Sequence, residues 1–186
     1  PVYLDGELYF TSSRFGGKIY KATGTSFTNL YKVKTKGARV DINSISSLGE
    51  DINSPNTNDG CIAFSPDGQT MIYAKGNSGR KKGAEDIDLY ISRFRRGAWS
   101  KPTLMRVSDG KAWDSTPAFS RDGRTLYFSS TRRGSVGGSD LYAATKNRRG
   151  RWSNVRNLGP KINTAGNEMF PYHASDGSLY FSSNGH

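Results

Sequence analysis

Hydrophobic positions along the chain come in short runs, each bounded by polar or glycine-rich segments. Cys61-Ile62-Ala63-Phe64 leads into Ser-Pro-Asp-Gly and a second apolar run within FSPDGQTMIYA. Pro117-Ala118-Phe119 leads into Ser-Arg-Asp-Gly and then Leu126-Tyr127-Phe128. Runs this short, separated by turn residues, predict β-strands, because a helix needs about 10 to 12 residues to build a comparable apolar face. No longer segment keeps apolar positions at i, i+3, i+4 and i+7 without a Gly or Pro interrupting it, so no helix is predicted.

The runs repeat. Asp-Gly pairs begin at Asp5, Asp67, Asp122 and Asp176, with successive members 62, 55 and 54 residues apart. Other columns keep the same phase: Asn29-Leu30-Tyr31 with Asp88-Leu89-Tyr90 and Asp140-Leu141-Tyr142, and Gly97-Ala98-Trp99-Ser100 with Gly150-Arg151-Trp152-Ser153. A further column links Leu48-Gly49 through Ile52-Asn53 to Leu158-Gly159 through Ile162-Asn163. Each unit reads as a buried strand, an Asp-Gly hairpin in which both residues tolerate the left-handed region, a second strand, a glycine-rich loop, an Asp-Leu-Tyr strand and a fourth strand carrying Trp. Four antiparallel strands per repeat of this length is the arithmetic of a β-propeller blade.

The predicted fold is therefore all-β, a β-propeller portion spanning 1–186. It divides into a partial blade over about 1–56, blades over about 57–111 and 112–165, and a partial blade over about 166–186. The first piece is expected to lack its innermost strand and the last its outer two. Propellers have four to eight blades. The chain is thus either part of a larger propeller, the preferred reading, or closes a small ring by pairing its terminal pieces.

The segments FSPDGQTMIYA, FSRDGRTLYFSS, GGSDLY, GRWS and NLGPKINTAGNE together resemble the TolB-type, WD-like propeller repeat. With GRWS followed by NLG and IN, they look like the repeats of periplasmic OmpA-family proteins of Bacteroidota, type IX secretion accessory proteins among them. The resemblance implies a non-catalytic interaction or scaffold module in the periplasm, associated with the outer membrane. Such modules are commonly flanked by helical repeats and a peptidoglycan-binding domain. The sequence departs from the pattern between Pro1 and Tyr31, where the loop from Phe15 to Thr28 is long, and Val40-Asp41-Ile42 stands where the Trp column is due.

Composition then narrows the partners. Lys and Arg number 27 against 16 Asp and Glu, a net charge of +11. The excess lies in loops: Arg80-Lys81-Lys82, Arg93 with Arg95 and Arg96, and Arg148 with Arg149 and Arg151. Contact with peptidoglycan or another anionic envelope surface is one reading; a solvated rim that keeps strand edges apart is the other. Nucleic acid fits less well, because Trp99 and Trp152 occupy equivalent repeat positions, as blade-packing residues do. The single cysteine, Cys61, excludes an intrachain disulfide and a thiolate metal site, and reads as a small core residue. No apolar run approaches the length of a membrane span.

One candidate site follows from phase. Eight residues before the Asp-Gly aspartate stand Asp59, Asp114 and Glu168, at the start of what should be the innermost strand. These acids are expected as a partial ring at one channel mouth, receiving a protein's basic side chains or amine, or else accepting backbone hydrogen bonds within their own turns. Trp113 and Tyr172 near the same mouth open an alternative, a glycan- or small-ligand-binding, lectin-like propeller. Asp88, Asp140 and Asn29 are expected to cap the loop before the third strand. No nucleophile elbow, phosphate loop or metal-ligand cluster is present. The two histidines, His173 in a strand column shared with Phe64 and Phe119 and His186, suggest no catalyst. The sequence thus predicts no enzyme, cofactor or metal.

Overall fold

The computed structural model describes residues 1–14, 17–21, 23–76 and 87–186. The first sheet begins with β1 (Val2–Leu4) and β2 (Glu7–Ser12). A small ribbon of β3 (Ile19–Tyr20) and β4 (Thr25–Ser26) follows before β5 (Asn29–Lys36) returns beside β2. β6 (Arg39–Val40) and β7 (Ser46–Ser47), separated by a single 3-10 turn at Ile42–Ser44, share the fourth position along β5. The second sheet runs through β8 (Asn58–Phe64), β9 (Thr70–Gly76) and β10 (Asp88–Arg95). Its fourth position is split by Pro102 into β11 (Ala98–Trp99) and β12 (Thr103–Leu104). The third comprises β13 (Asp114–Phe119), β14 (Thr125–Ser130), β15 (Asp140–Lys146) and β16 (Trp152–Asn157). A hairpin of β17 (Glu168–His173) and β18 (Leu179–Ser183) ends the chain.

All pairings are antiparallel and the order is sequential, the up-and-down pattern of propeller blades. β1 occupies the innermost position of the first sheet. That corrects the expectation of an absent strand: the strand is present but shortened to three residues. Its brevity hid it, since three alternating residues carry little periodic signal. The terminal pieces do not meet; among the described residues β17 packs on the third sheet, β18 pairs with β17 alone, and neither contacts the first sheet. The fold is a partial set of blades.

Two cores lie between successive sheets, where each blade lays its apolar face on the next. Tyr9, Leu30, Ile52, Ile62, Met71 and Tyr73 fill the first, with Trp99 packed on it. Ile72, Leu89, Met105, Phe119, Leu126 and Phe128 are central to the second, joined by Trp152. The Trp column is therefore a blade-packing column. Within its own sheet each Trp also meets the Phe that ends the innermost strand, Trp99 with Phe64 at 5.6 Å and Trp152 with Phe119 at 5.9 Å between ring centroids. Burying each such side chain contributes on the order of 1.5 to 3 kcal/mol.

The Asp-Gly hairpins are of two kinds. Asp5 (φ 48°) and Gly6 (φ 80°) are both left-handed, whereas at Asp67, Asp122 and Asp176 only the glycine is. The expectation of two left-handed residues therefore holds once in four. At Asp122 the side chain instead accepts from Ser120 Oγ at 2.6 Å and from the backbone N–H of Arg124 at 3.0 Å, closing a tight polar turn.

Candidate binding face on the channel

The innermost strands β8, β13 and β17 stand side by side, and each bends at the same place. Register slips between Gly60 and Ala63, Ser115 and Ala118, and Met169 and Tyr172 mark a bulge, centred on Cys61 (φ 50°), Thr116 (φ 47°) and Phe170 (φ 54°). Three non-glycine residues in the left-handed region cost roughly 1 to 2 kcal/mol each. Part of that cost is met by a stitch between blades, for the N–H of Phe170 donates to Thr116 Oγ1 at 3.2 Å and the N–H of Thr116 is bonded to the Cys61 sulfur. Burial pushes the Cys61 thiol pKa up, keeping it protonated.

Along these strands runs an open cavity of about 1190 Å³. Its walls are largely apolar: Pro1 to Tyr3 on one side, Cys61 to Phe64 and Pro117 to Phe119 along the floor, and Met169 to His173 on the other. Tyr3 (63% exposed) lines it from the first blade, and from the third blade and the last hairpin come Trp113 (38%), Phe170 (57%) and Tyr172 (64%). Each of the last three breaks the repeat. Where Trp113 stands, the sibling positions hold Asn58 and Asn167, whose side-chain oxygens accept from the N–H groups of Thr28 and Ser139, both at 3.0 Å. Phe170 stands in the column of Cys61 and Thr116, and Tyr172 in that of Ala63 and Ala118. Sequence reasoning singled out Trp113 and Tyr172 but missed Phe170; the departure from its column was the available signal.

The predicted acids lie elsewhere. Asp59, Asp114 and Glu168 are fully buried and none lines the cavity, so the column presents no charged oxygen to an open mouth. Each carboxylate instead accepts the N–H of a residue four or five positions earlier: Ser54 at 2.7 Å, Asp109 at 2.6 Å and Thr164 at 3.0 Å. Each backbone N–H also donates across the blade boundary, to the carbonyls of Thr28, Ile87 and Ser139. The acids fold the incoming loop over the start of the inner strand and tie it to the preceding blade.

A basic side chain completes the arrangement in each copy, a cation in the first two, at a position the sequence did not reveal. Lys75 Nζ donates to the Ile52 carbonyl at 2.7 Å and lies 3.6 Å from Asp59. An Arg132 Nη2 donates to the Val107 carbonyl at 3.0 Å and to Asp114 at 2.8 Å. His186 Nε2 bonds the Ile162 carbonyl at 3.0 Å, with Glu168 nearby. Lys75 follows its Asp-Gly aspartate by 8 residues, whereas Arg132 and His186 follow theirs by 10, so Lys75 falls out of register with the other two in an alignment.

The electrostatics differ between copies. Burial pushes Asp59 up to about 6, against the Ser54 N–H and the Lys75 charge. At Glu168 burial works upward too, but the hydroxyls of Thr164 and Ser183 and the Thr164 N–H outweigh it and hold the carboxyl below its ordinary value. Asp140 behaves as a loop cap, accepting from the N–H groups of Val136 and Gly137 and from the Asn157 amide. Asn53 and Asn163 each bracket a Leu backbone, Leu30 and Leu141, with paired bonds of 2.8 to 3.0 Å. His173 stacks on Tyr127 at 5.7 Å and holds the last hairpin against the third sheet. Arg80-Lys81-Lys82 lies outside the described residues. Among the described residues no helix is long and apolar enough to cross a membrane, and no cluster of His, Cys, Asp and Glu could hold a metal ion.

No family model matches the chain, and no curated protein matches it. Solved structures do. A putative TolB from Agrobacterium tumefaciens is similar over 97% of this chain and 51% of its own, with TM-score 0.63 at 18% identity. A gluconolactonase from Xanthomonas campestris is similar over 98% of this chain and 52% of its own, with TM-score 0.58 at 17% identity. TolB from Acinetobacter baumannii is similar over 83% of this chain and 32% of its own, with TM-score 0.50 at 16% identity. The chain thus spans about half or less of the length of these structures. Identities this low carry the fold alone, and with the blades described above that fold is a β-propeller, shared with the TolB structures and the gluconolactonase alike.

Proposed function

We propose that this chain is a non-catalytic propeller module that holds a segment of a protein partner on the channel face, against Trp113, Phe170 and Tyr172. The observation that carries the reading is the placement of three aromatics, each breaking its repeat column, on the wall of one open cavity. Aromatic side chains supply large contact area at low conformational cost, and a mostly apolar wall suits the side chains of an extended segment. Asp59, Asp114 and Glu168 act here as positioning groups, fixing the loops from which Trp113 and Met169 emerge, and do not touch the partner. The finer reading, supported by the resemblance of the repeats, places the module in the periplasm at the outer membrane, as part of a type IX secretion assembly.

A second reading rests on the same aromatics. Exposed Trp113 and Tyr172 offer flat faces for sugar rings, and a gluconolactonase shares the fold. Retention of envelope proteins by the immobilised chain, alongside a glycan array, separates the two. The first reading expects a saturable protein partner whose retention falls at least about tenfold with Trp113→Ala and Tyr172→Ala, in line with the cost of losing central aromatics. Saturable binding to a sugar with no protein partner would replace it with the second.

A further inference from the structure

We propose that one end of the propeller is a docking surface for an anionic lipid bilayer, formed by the outer hairpin tips of the three four-stranded sheets. The tips are Lys36-Gly37-Ala38-Arg39, Arg95-Arg96-Gly97-Ala98 and Asn147-Arg148-Arg149-Gly150-Arg151, and none contains an acid. They share one end of the molecule. In each sheet the strand entering the tip donates a backbone N–H beside the inner Asp-Gly turn: Thr35 to Gly6, Phe94 to Gln69 and Lys146 to Arg124, at 2.8 to 2.9 Å. Successive inner turns touch, since Gly68 packs on Leu4 and Gly123 on Pro66, so the turns of the three blades, and the tips anchored beside them, face the same way.

Two observations set this arc apart from an ordinary solvated rim. The six cations Lys36, Arg39, Arg95, Arg96, Arg148 and Arg149 are exposed, and none joins an ion pair among the described residues. The Arg96-Gly97 turn has both residues left-handed, φ 52° and 80°, the same turn that Asp5-Gly6 makes with a residue suited to it. Asn, Asp and Gly accept that conformation readily and arginine does not. A side chain kept at a position where local structure disfavours it marks a place where something other than folding sets the residue.

The geometry points to a flat polyanion. The cations sit on three separate blades, each pair at a tip anchored beside its own inner turn. The aromatics nearest the tips are turned inward: Phe94 packs on Trp99 at 5.3 Å, Trp99 on Phe64 and Trp152 on Phe119, and Lys146 covers the Trp152 ring at 4.9 Å. Rings already engaged in this way are poor platforms for a stacked base. A bilayer offers phosphates across a plane, and the tips carry no large apolar side chain to insert, so attraction is electrostatic and reversed by salt.

The test is co-sedimentation of the chain with phosphatidylcholine vesicles, with and without about 30% phosphatidylglycerol, at about 0.1 M and about 0.5 M salt. Binding is expected only with the anionic lipid and only at the lower salt. Each cation near such a surface changes partition about fivefold, so the variant R95Q/R96N/R148Q/R149Q should lose more than about a hundredfold. The variant R106Q/K111Q/R133Q/K161Q removes as many charges from loops at the opposite end and should lose far less. Arg96→Asn alone should raise Tm while lowering partition, a combination that a structural role would not give. Equal partition to both vesicle types, equal loss in the two quadruple variants, or tighter binding to a thymidine oligonucleotide than to vesicles would overturn the proposal.

Discussion

Asp59→Asn should change the way stability depends on pH, and the size of the change follows from burial. The Asp59 carboxyl is fully buried, held by the Ser54 N–H and only loosely by Lys75 at 3.6 Å, and its pKa rises from 3.8 to about 6. A group whose folded pKa lies above its unfolded value binds its proton more tightly when folded. Its stabilising contribution is therefore fully present below about pH 4 and lost as pH rises through about 6. A rise of about 2 pKa units corresponds to about 3 kcal/mol, at 1.36 kcal/mol per unit. Asparagine keeps the shape and cannot titrate. Urea unfolding of wild type and Asp59→Asn across pH 3.5 to 7.5 should show the stability difference moving in favour of the variant by about 3 kcal/mol between the two ends, most of it between pH 4 and 6. Parallel profiles, or a difference moving the other way, would refute the assignment of Asp59 as a buried and weakly compensated charge.

Glu168→Gln should show the opposite sign. The Glu168 carboxyl is held below its ordinary value, so its contribution is present above about pH 4.5 and is lost as pH falls through its folded pKa; the same unfolding series should find the variant losing its disadvantage in acid. Arg132→Ala leaves Asp114 buried without its cation and should cost about 3 to 5 kcal/mol, while adding Asp114→Asn should recover part of the loss. A double variant no more stable than Arg132→Ala would show the pair to be uncoupled. Gly137→Ala should lower Tm sharply, because a Cβ there would meet the Thr164 and Gly166 carbonyls of the adjoining loop. An unchanged Tm would mean that the two loops are not packed as described.

The repeat was legible because its strongest marks are local. Gly68, Gly123 and Gly177 sit in left-handed turns that any L side chain would strain, and Trp99 and Trp152 fill matching seams, so their columns survive in the sequence. The cation clamp was not legible, since Lys75 and Arg132 reach equivalent carbonyls from different offsets by virtue of side-chain length. Nor were the left-handed bulges, which place cysteine, threonine and phenylalanine where no turn residue announces them. The acidic column was visible as a pattern, but its burial depends on the preceding loop closing over it, a long-range event that spacing cannot report. Trp113 and Tyr172 were found by proximity to that column; their place on a different surface, the cavity wall, emerged only from the fold.

The claim that the channel face holds a partner is tested most directly by placing a photo-crosslinking amino acid, in turn, at Trp113, at Tyr172 and at the outward-facing Leu104. Irradiation in the presence of envelope proteins should join the first two positions to one and the same protein and leave the third unlinked. Crosslinks of equal yield from Leu104, or none from either channel position, would contradict it.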